Sequence, residues 1–294
     1  MKKLIALMLA GVMTAAMVTG CGSSSTETAA EAPAETEETT EESDAEEAVE
    51  GADEASVSEE SDLAYVQEKG TLVVGITDFE PMDYKDENGE WIGFDADMAK
   101  AFAESLGVAV EFVEIDWDNK ILELDGKTID CVWNGMTLTD EVKSAMECSN
   151  AYLNNAQIVI VPADKADDYQ DVESLSDLNF AVEAGSAGEA EVEALGLNYT
   201  SVKAQADALM EVAAGTSDAA VIDSLMAAAM VGEGTGYEEL TYTVGLNSEE
   251  YGVGFRKGSD LAAALNDFFA ASYADGTMTE CADTYGVQAA VIEQ

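Results

Sequence analysis

The sequence predicts an α/β protein built from two sheets with helices on both faces. Three observations carry this. From Thr71 onward, short apolar runs alternate with helical patterns. The same alternation starts afresh near Asn179. With 294 residues and 47% hydrophobic content, the chain is long enough and apolar enough for two such sheets.

The elements come in this order. Residues 72–76 (LVVGI) read as a buried strand, and 85–89 (KDENG) as a turn. Phe94, Met98, Phe102 and Leu106 recur at helical spacing, with Asp95 near the start and Gly107 just past the end. Residues 110–115 alternate as a strand, a short helix is expected at 119–124, and 130–133 (DCVW) form another strand. A helix follows Thr139, and the strand 157–161 leaves this unit. The second unit has strands at 179–182 and 219–222, helices at 188–195 and 204–214, and an Ala- and Met-rich helix after Asp223. Residues 251–256 are a late strand, followed by helices at 261–274 and 277–285.

Composition excludes several functions. The formal charge is −49, from 61 acidic and 12 basic residues. Nucleic-acid binding needs clustered Lys and Arg, so it is excluded, as is docking of the folded surface on an anionic membrane. The chain has no histidine, and no cysteine pair has CxxC spacing, which speaks against a metal site. No motif calls for a cofactor.

The first sixty residues read differently. Lys2 and Lys3 precede an apolar run over 4–18 that is too short for a comfortable membrane span. It ends in Val18-Thr19-Gly20-Cys21, which resembles a bacterial lipoprotein cleavage box. That resemblance implies removal of residues 1–20 as a signal peptide and a lipid on Cys21. Residues 22–60 hold 15 Asp or Glu and no Lys, Arg or aromatic residue. Such a segment cannot bury enough apolar surface to offset chain entropy, so 21–61 is expected to be a disordered acidic tether. The other cysteines, Cys131, Cys148 and Cys281, read as small buried thiols, with a Cys131–Cys148 disulfide left open.

In open α/β sheets ligands bind beyond the carboxyl ends of strands, and polar residues cluster at each such end here. Thr77, Asp78 and Phe79 follow the first strand, and Asn134, Gly135 and Thr137 follow the strand 130–133. Glu183 and Ser186 follow the strand 179–182, and Asp223 follows 219–222. Facing one another across a cleft, these groups suit a small zwitterion: carboxylates for an ammonium, helix-start N–H groups for a carboxylate, and an aromatic face for a stem. Each group has a structural alternative. Asp78 and Asp223 suit caps for the adjoining turn or helix, Ser186 and Glu189 form an S-x-x-E capping box, and Phe79 suits a core.

The run 93–100 (GFDADMAK) resembles the signature of the family 3 bacterial solute-binding proteins, polar amino-acid receptors of ABC importers. The turn 77–84, DCVWNGMTLT at 130–139 and YGVGFRKG at 251–258 fit the same family. The resemblance implies a type II periplasmic-binding-protein-like fold, with lobe 1 over 62–153 and 250–294 and lobe 2 over 154–249, joined by two hinge strands. It implies a monomer that closes on a small amino-acid-like ligand and delivers it to an ABC permease, from an extracytoplasmic position anchored through Cys21. It places Asp78, Phe79, Asn134, Gly135, Thr137, Glu183, Ser186 and Asp223 around the ligand. It also implies an arginine five residues beyond Thr137, where this chain has Val142. The ligand is then expected either to have its carboxylate held by backbone N–H groups or to be a cationic or amide-type molecule. Asp78, Glu183 and Asp223 disfavour glutamate and aspartate. Two further functions remain in view: a ligand-binding surface sensor, and a carboxylate-using dehydratase on the same scaffold.

Overall fold

The computed structural model describes residues 61–294; the expected signal peptide, Cys21 and all of the expected tether except Ser61 lie outside the described residues. In chain order come α1 (Asp62–Lys69), β1 (Thr71–Ile76), the short strands β2 (Tyr84–Lys85) and β3 (Trp91–Ile92), α2 (Phe94–Leu106) and β4 (Ala109–Glu114). Next are α3 (Lys120–Asp125), β5 (Cys131–Thr137), α4 (Asp140–Ala145), β6 (Glu147–Cys148) and β7 (Leu153–Asn155). The second half holds β8 (Gln157–Pro162), β9 (Asn179–Glu183), α5 (Ala187–Leu195), β10 (Asn198–Val202), α6 (Gln205–Ala214), β11 (Ala219–Asp223), α7 (Ser224–Met230) and β12 (Leu240–Gly245). The chain then returns through β13 (Glu249–Phe255) to α8 (Leu261–Asp275) and α9 (Thr277–Thr284).

The strands form two large sheets. The first runs β4-β1-β5-β13-β6, with β7 also paired to β13; the second runs β10-β9-β11-β8-β12. Both sheets are mixed, with a parallel core. β1 is parallel to β4 and β5, and β9 to β10 and β11, but β13 runs antiparallel to β5, and β8 to β11 and β12. The reason is connectivity. β8 and β13 enter from the opposite lobe instead of through a helical crossover, so nothing forces them to run parallel. The two crossings lie side by side, with Leu153, Asn154 and Asn155 paired antiparallel to Tyr251, Glu250 and Glu249.

Packing follows the sequence pattern. Phe94, Met98 and Phe102 on α2 are buried against β1 and β5, and Gly107 ends the helix in the left-handed conformation at φ +76°. Trp133, Tyr152 and Phe269 make an aromatic core with ring centroids 5.4–6.5 Å apart. Val159, Phe180, Val182, Val192 and Val221 form the core of the second lobe. Cys131, Cys148 and Cys281 are free thiols.

One ionic network ties the first lobe together. Arg256 beyond β13 donates from Nε to Asp62 Oδ2 at 3.0 Å and from Nη1 to the Ile129 carbonyl at 2.8 Å, and it lies 3.5 Å from Asp130. Asp130 is fully buried and also accepts from Lys69 Nζ at 2.6 Å and Val73 N at 2.8 Å. The network thereby fastens α1 and β1 to β13.

Candidate functional site

The carboxyl ends of β1, β5, β9 and β11 converge on a cavity of about 290 Å³ between the lobes, at the small end of the roughly 300–1,000 Å³ usual for ligand pockets. The lobes meet around it. Lys120 Nζ from lobe 1 donates to the Gly185 carbonyl of lobe 2 at 2.9 Å, and Lys203 reaches Asp116 at 3.7 Å. Gly185 has φ +70°, and a Cβ there would sit 2.6 Å from Asp118 Cα, so the approach needs glycine for both reasons. Gly185→Ala is expected to prop the lobes apart and weaken ligand binding about tenfold, from the ~1–2 kcal/mol cost of left-handed backbone plus the clash. Titration calorimetry on the variant measures the loss.

In lobe 1, Phe79 lines the cavity edge-on to Tyr251, with centroids 6.4 Å apart. Asp78 is not brought in. It is exposed and lines a separate groove with Glu114, Lys203 and Asp207. Successive side chains of extended backbone point to opposite sides, so turning Phe79 inward turns Asp78 away. Asn134, Gly135 and Thr137 lie within β5 and do not follow it; Thr137 pairs with Tyr251 of β13, while Asn134 and Gly135 sit where the β5–β13 register shifts. The Asn134 amide is occupied within lobe 1: its Oδ1 accepts from Thr77 N and Oγ1, and its Nδ2 donates to the Thr77 carbonyl and to Asp83.

Gly135 sits at φ +55°, and a Cβ there would lie 2.6 Å from Phe79 Cε1. Its N–H donates to Asp95 Oδ2 at 2.7 Å, and Asp95 also accepts from Tyr152 Oη at 2.8 Å. Asp95, in the run 93–100, thus fixes the backbone of the cavity wall. Burial pushes its carboxyl up to about 7 against the pull of those hydrogen bonds.

In lobe 2, Ser186 caps α5, its Oγ accepting from Glu189 N at 3.1 Å, while Gly185 N donates to Glu189 Oε2. Only half of the expected capping box forms, because Glu189 reaches the Gly185 N–H and Ser186 N donates to the Glu183 carbonyl instead. Ser186 and Ala187 still line the cavity, and the first amides of α5 face no backbone acceptor within their own helix. Glu183 closes β9, and its Oε1 is buried without a hydrogen-bond partner. Burial, reinforced by the charge of Asp223, raises its carboxyl to about 8. Asp223 closes β11 and accepts from Asn155, Gln157 and Gln205. Burial, then the charge of Glu249, lifts it to about 8 as well.

These shifts set a pH dependence. Glu183 and Asp223 start from ordinary values of 4.5 and 3.8, so folding takes up protons between about pH 4 and pH 8. The unfolded chain binds fewer protons there, so the stability of the ligand-free protein falls as pH rises through that window. Scanning calorimetry at pH 5 and pH 8 is expected to show the lower melting temperature at pH 8. Binding of a cation, which requires the ionised carboxylates, is expected to strengthen over the same range.

Sequence reasoning missed several lining residues. Gln157 opens the otherwise apolar β8, and Gln205 opens α6; a polar residue at the head of an apolar element was the available signal. Trp117 and Lys120 also line the cavity. Lys143, next to the expected arginine position, lines an adjoining groove instead, while Val142 lines the cavity as an apolar wall.

Comparison with known proteins agrees with this architecture. The ancestral amino-acid-binding protein AncCDT-1, a precursor of cyclohexadienyl dehydratase, has a crystal structure that superposes with TM-score 0.70 at 33% identity, covering 76% of this chain and 99% of that one. The L-cystine-binding protein TcyJ of Escherichia coli (strain K12) is 28% identical over 227 residues, 76% of this chain and 85% of the relative. The L-arginine-binding protein of Pseudomonas aeruginosa is 30% identical over 220 residues, 70% of this chain and 84% of its own length. The fold is the two-lobe, type II periplasmic-binding-protein fold. Residues 72–288 match the family model, and the chain belongs to the bacterial extracellular solute-binding proteins, family 3.

Proposed function

We propose that this protein is the extracytoplasmic receptor of an ABC importer, taking up an amino acid with a cationic or neutral polar side chain by closure of its lobes. The observation that carries the reading is the inter-lobe cavity with Asp223 and Glu183 on its wall. Asp223 and Glu183 take the ammonium, the first amides of α5 take the carboxylate, and Phe79 and Trp117 cover the stem. Asp140 and Glu141 add acidic lining, which disfavours glutamate and aspartate. Asp78, outside the cavity, is withdrawn from the ligand set.

The raised carboxyls follow from burial and a neighbouring acid, Asp223 for Glu183 and Glu249 for Asp223, so they need no catalytic role, and we read the protein as a monomeric receptor without turnover. Cys21 carries a lipid that holds it at the membrane, with the acidic segment as tether. A thermal-shift panel of the twenty L-amino acids tests the reading. A rise with arginine, lysine, histidine or glutamine and none with glutamate is expected. A panel in which glutamate gives the largest rise defeats the charge argument.

A further inference from the structure

Lys120 is a buried cation without an anionic partner. It opens α3, is 8% exposed and lines the cavity. Its Nζ donates to two carbonyls, Trp117 at 3.1 Å and Gly185 at 2.9 Å, and lies 4.9 Å over the Trp117 ring. An ammonium has three protons, so one is left over. Among the described residues, no carboxylate lies within 4.0 Å of it; Lys127, Lys143, Lys165 and Lys257 also lack one but are exposed, whereas the buried Arg256 has one. In a chain with 61 acids and 12 bases, a buried lysine without a salt bridge stands apart. Burial draws its ammonium below the usual lysine range, although Glu183, Glu141 and Asp118 pull it back. A buried charge is normally paired, and Lys120 is left with carbonyl acceptors alone.

Its surroundings say where an anion would meet it. Gly185, which Lys120 holds, immediately precedes the Ser186 cap of α5. The start of α5 and the Lys120 ammonium therefore reach the same corner of the cavity from opposite lobes. Asp223 is tied to Asn155 and Gln157 of the crossing and to Gln205, and with Glu183 it makes the cavity's buried carboxylate pair.

We propose that Lys120 receives the α-carboxylate of the bound amino acid, jointly with the first amides of α5, and so sets a preference for α-amino acids over the corresponding amines. The proposal rests on the amino-acid reading above. It gives the cation a partner and makes closure depend on the carboxylate, since one ammonium then holds both the ligand and the Gly185 carbonyl.

The test compares three pairs by titration calorimetry on the full chain: L-arginine with agmatine, L-histidine with histamine, and L-glutamine with 4-aminobutyramide. Wild-type protein is expected to bind the amino acid of at least one pair roughly 30-fold or more tighter than its amine, the order expected when a desolvated charge pair is lost. In Lys120→Met the ratio is expected to fall to about threefold or less, because the variant lacks the cation that distinguishes the acid from its amine. Lys120→Gln replaces the methionine variant if that fails to fold. A ratio unchanged in the variant overturns the carboxylate seat alone. So does an equal loss for both members of a pair, which makes Lys120 a closure contact only. Binding of none of these three amino acids, nor of lysine, by wild type overturns the amino-acid reading and the seat with it.

Discussion

Asp223→Ala is expected to lower ligand affinity by about a hundredfold or more. Removing one side of a buried, hydrogen-bonded charge pair costs roughly 2–5 kcal/mol, because the other charge stays buried without a partner. Asp223 sits at the end of β11, 3% exposed, with the side-chain amides of Asn155, Gln157 and Gln205 all directed to it. Those three donors orient the carboxylate, so the alanine variant loses a positioned group. The ligand-induced rise in melting temperature is expected to vanish, with the far-UV circular dichroism of the ligand-free variant unchanged. A rise that persists at wild-type size shows that the ammonium is held elsewhere.

Arg256→Met is expected to act in the opposite manner, on stability and not on binding. The guanidinium is 8% exposed and serves Asp62, Asp130 and the Ile129 carbonyl at once. Methionine fills much of its volume but leaves Asp62 without its ion pair and the Ile129 carbonyl without its side-chain donor; Lys69 retains Asp130. Breaking a buried pair from one side costs about 3–5 kcal/mol. For a domain of this size, that lowers the melting temperature by on the order of 10 °C. Arg256 does not line the cavity, so affinity measured well below the melting transition is expected to be unchanged. A melting temperature within a degree or two of wild type means that the network contributes little beyond what methionine packing replaces.

Residues with periodic neighbours were legible in the sequence. Phe94, Met98 and Phe102 announced α2, and the apolar runs announced β1, β8, β9 and β11 within a residue or two. The strands β10 (NYTSV) and β12 (LTYTVG) went unread, because neither is an unbroken apolar run; both are edge strands with exposed residues. Helix α1 was passed over because its apolar residues are few, and its place depends on the distant Arg256 and Asp260. In the site, Phe79, Glu183 and Asp223 were readable from the rule that strand ends face ligands. Asp78 shows the limit of that rule, which places a residue at an end without saying which way it points. Lys120 and Gln157 were illegible for another reason: their roles exist only once the second lobe is in place. Lys120 needs Gly185, 65 positions away, and Gln157 needs Asp223, 66 positions away.

The pairing of Leu153, Asn154 and Asn155 with Tyr251, Glu250 and Glu249 puts both crossings at one place. Asn155 and Gln157 there each donate to Asp223 and also to Glu249, which takes Thr137 and Asn247 besides. The same two amides are therefore shared between the acid at the cavity wall and the acid on the pivot. A cation that arrives at Asp223 is expected to weaken its hold on them, leaving both amides to Glu249 at the crossing.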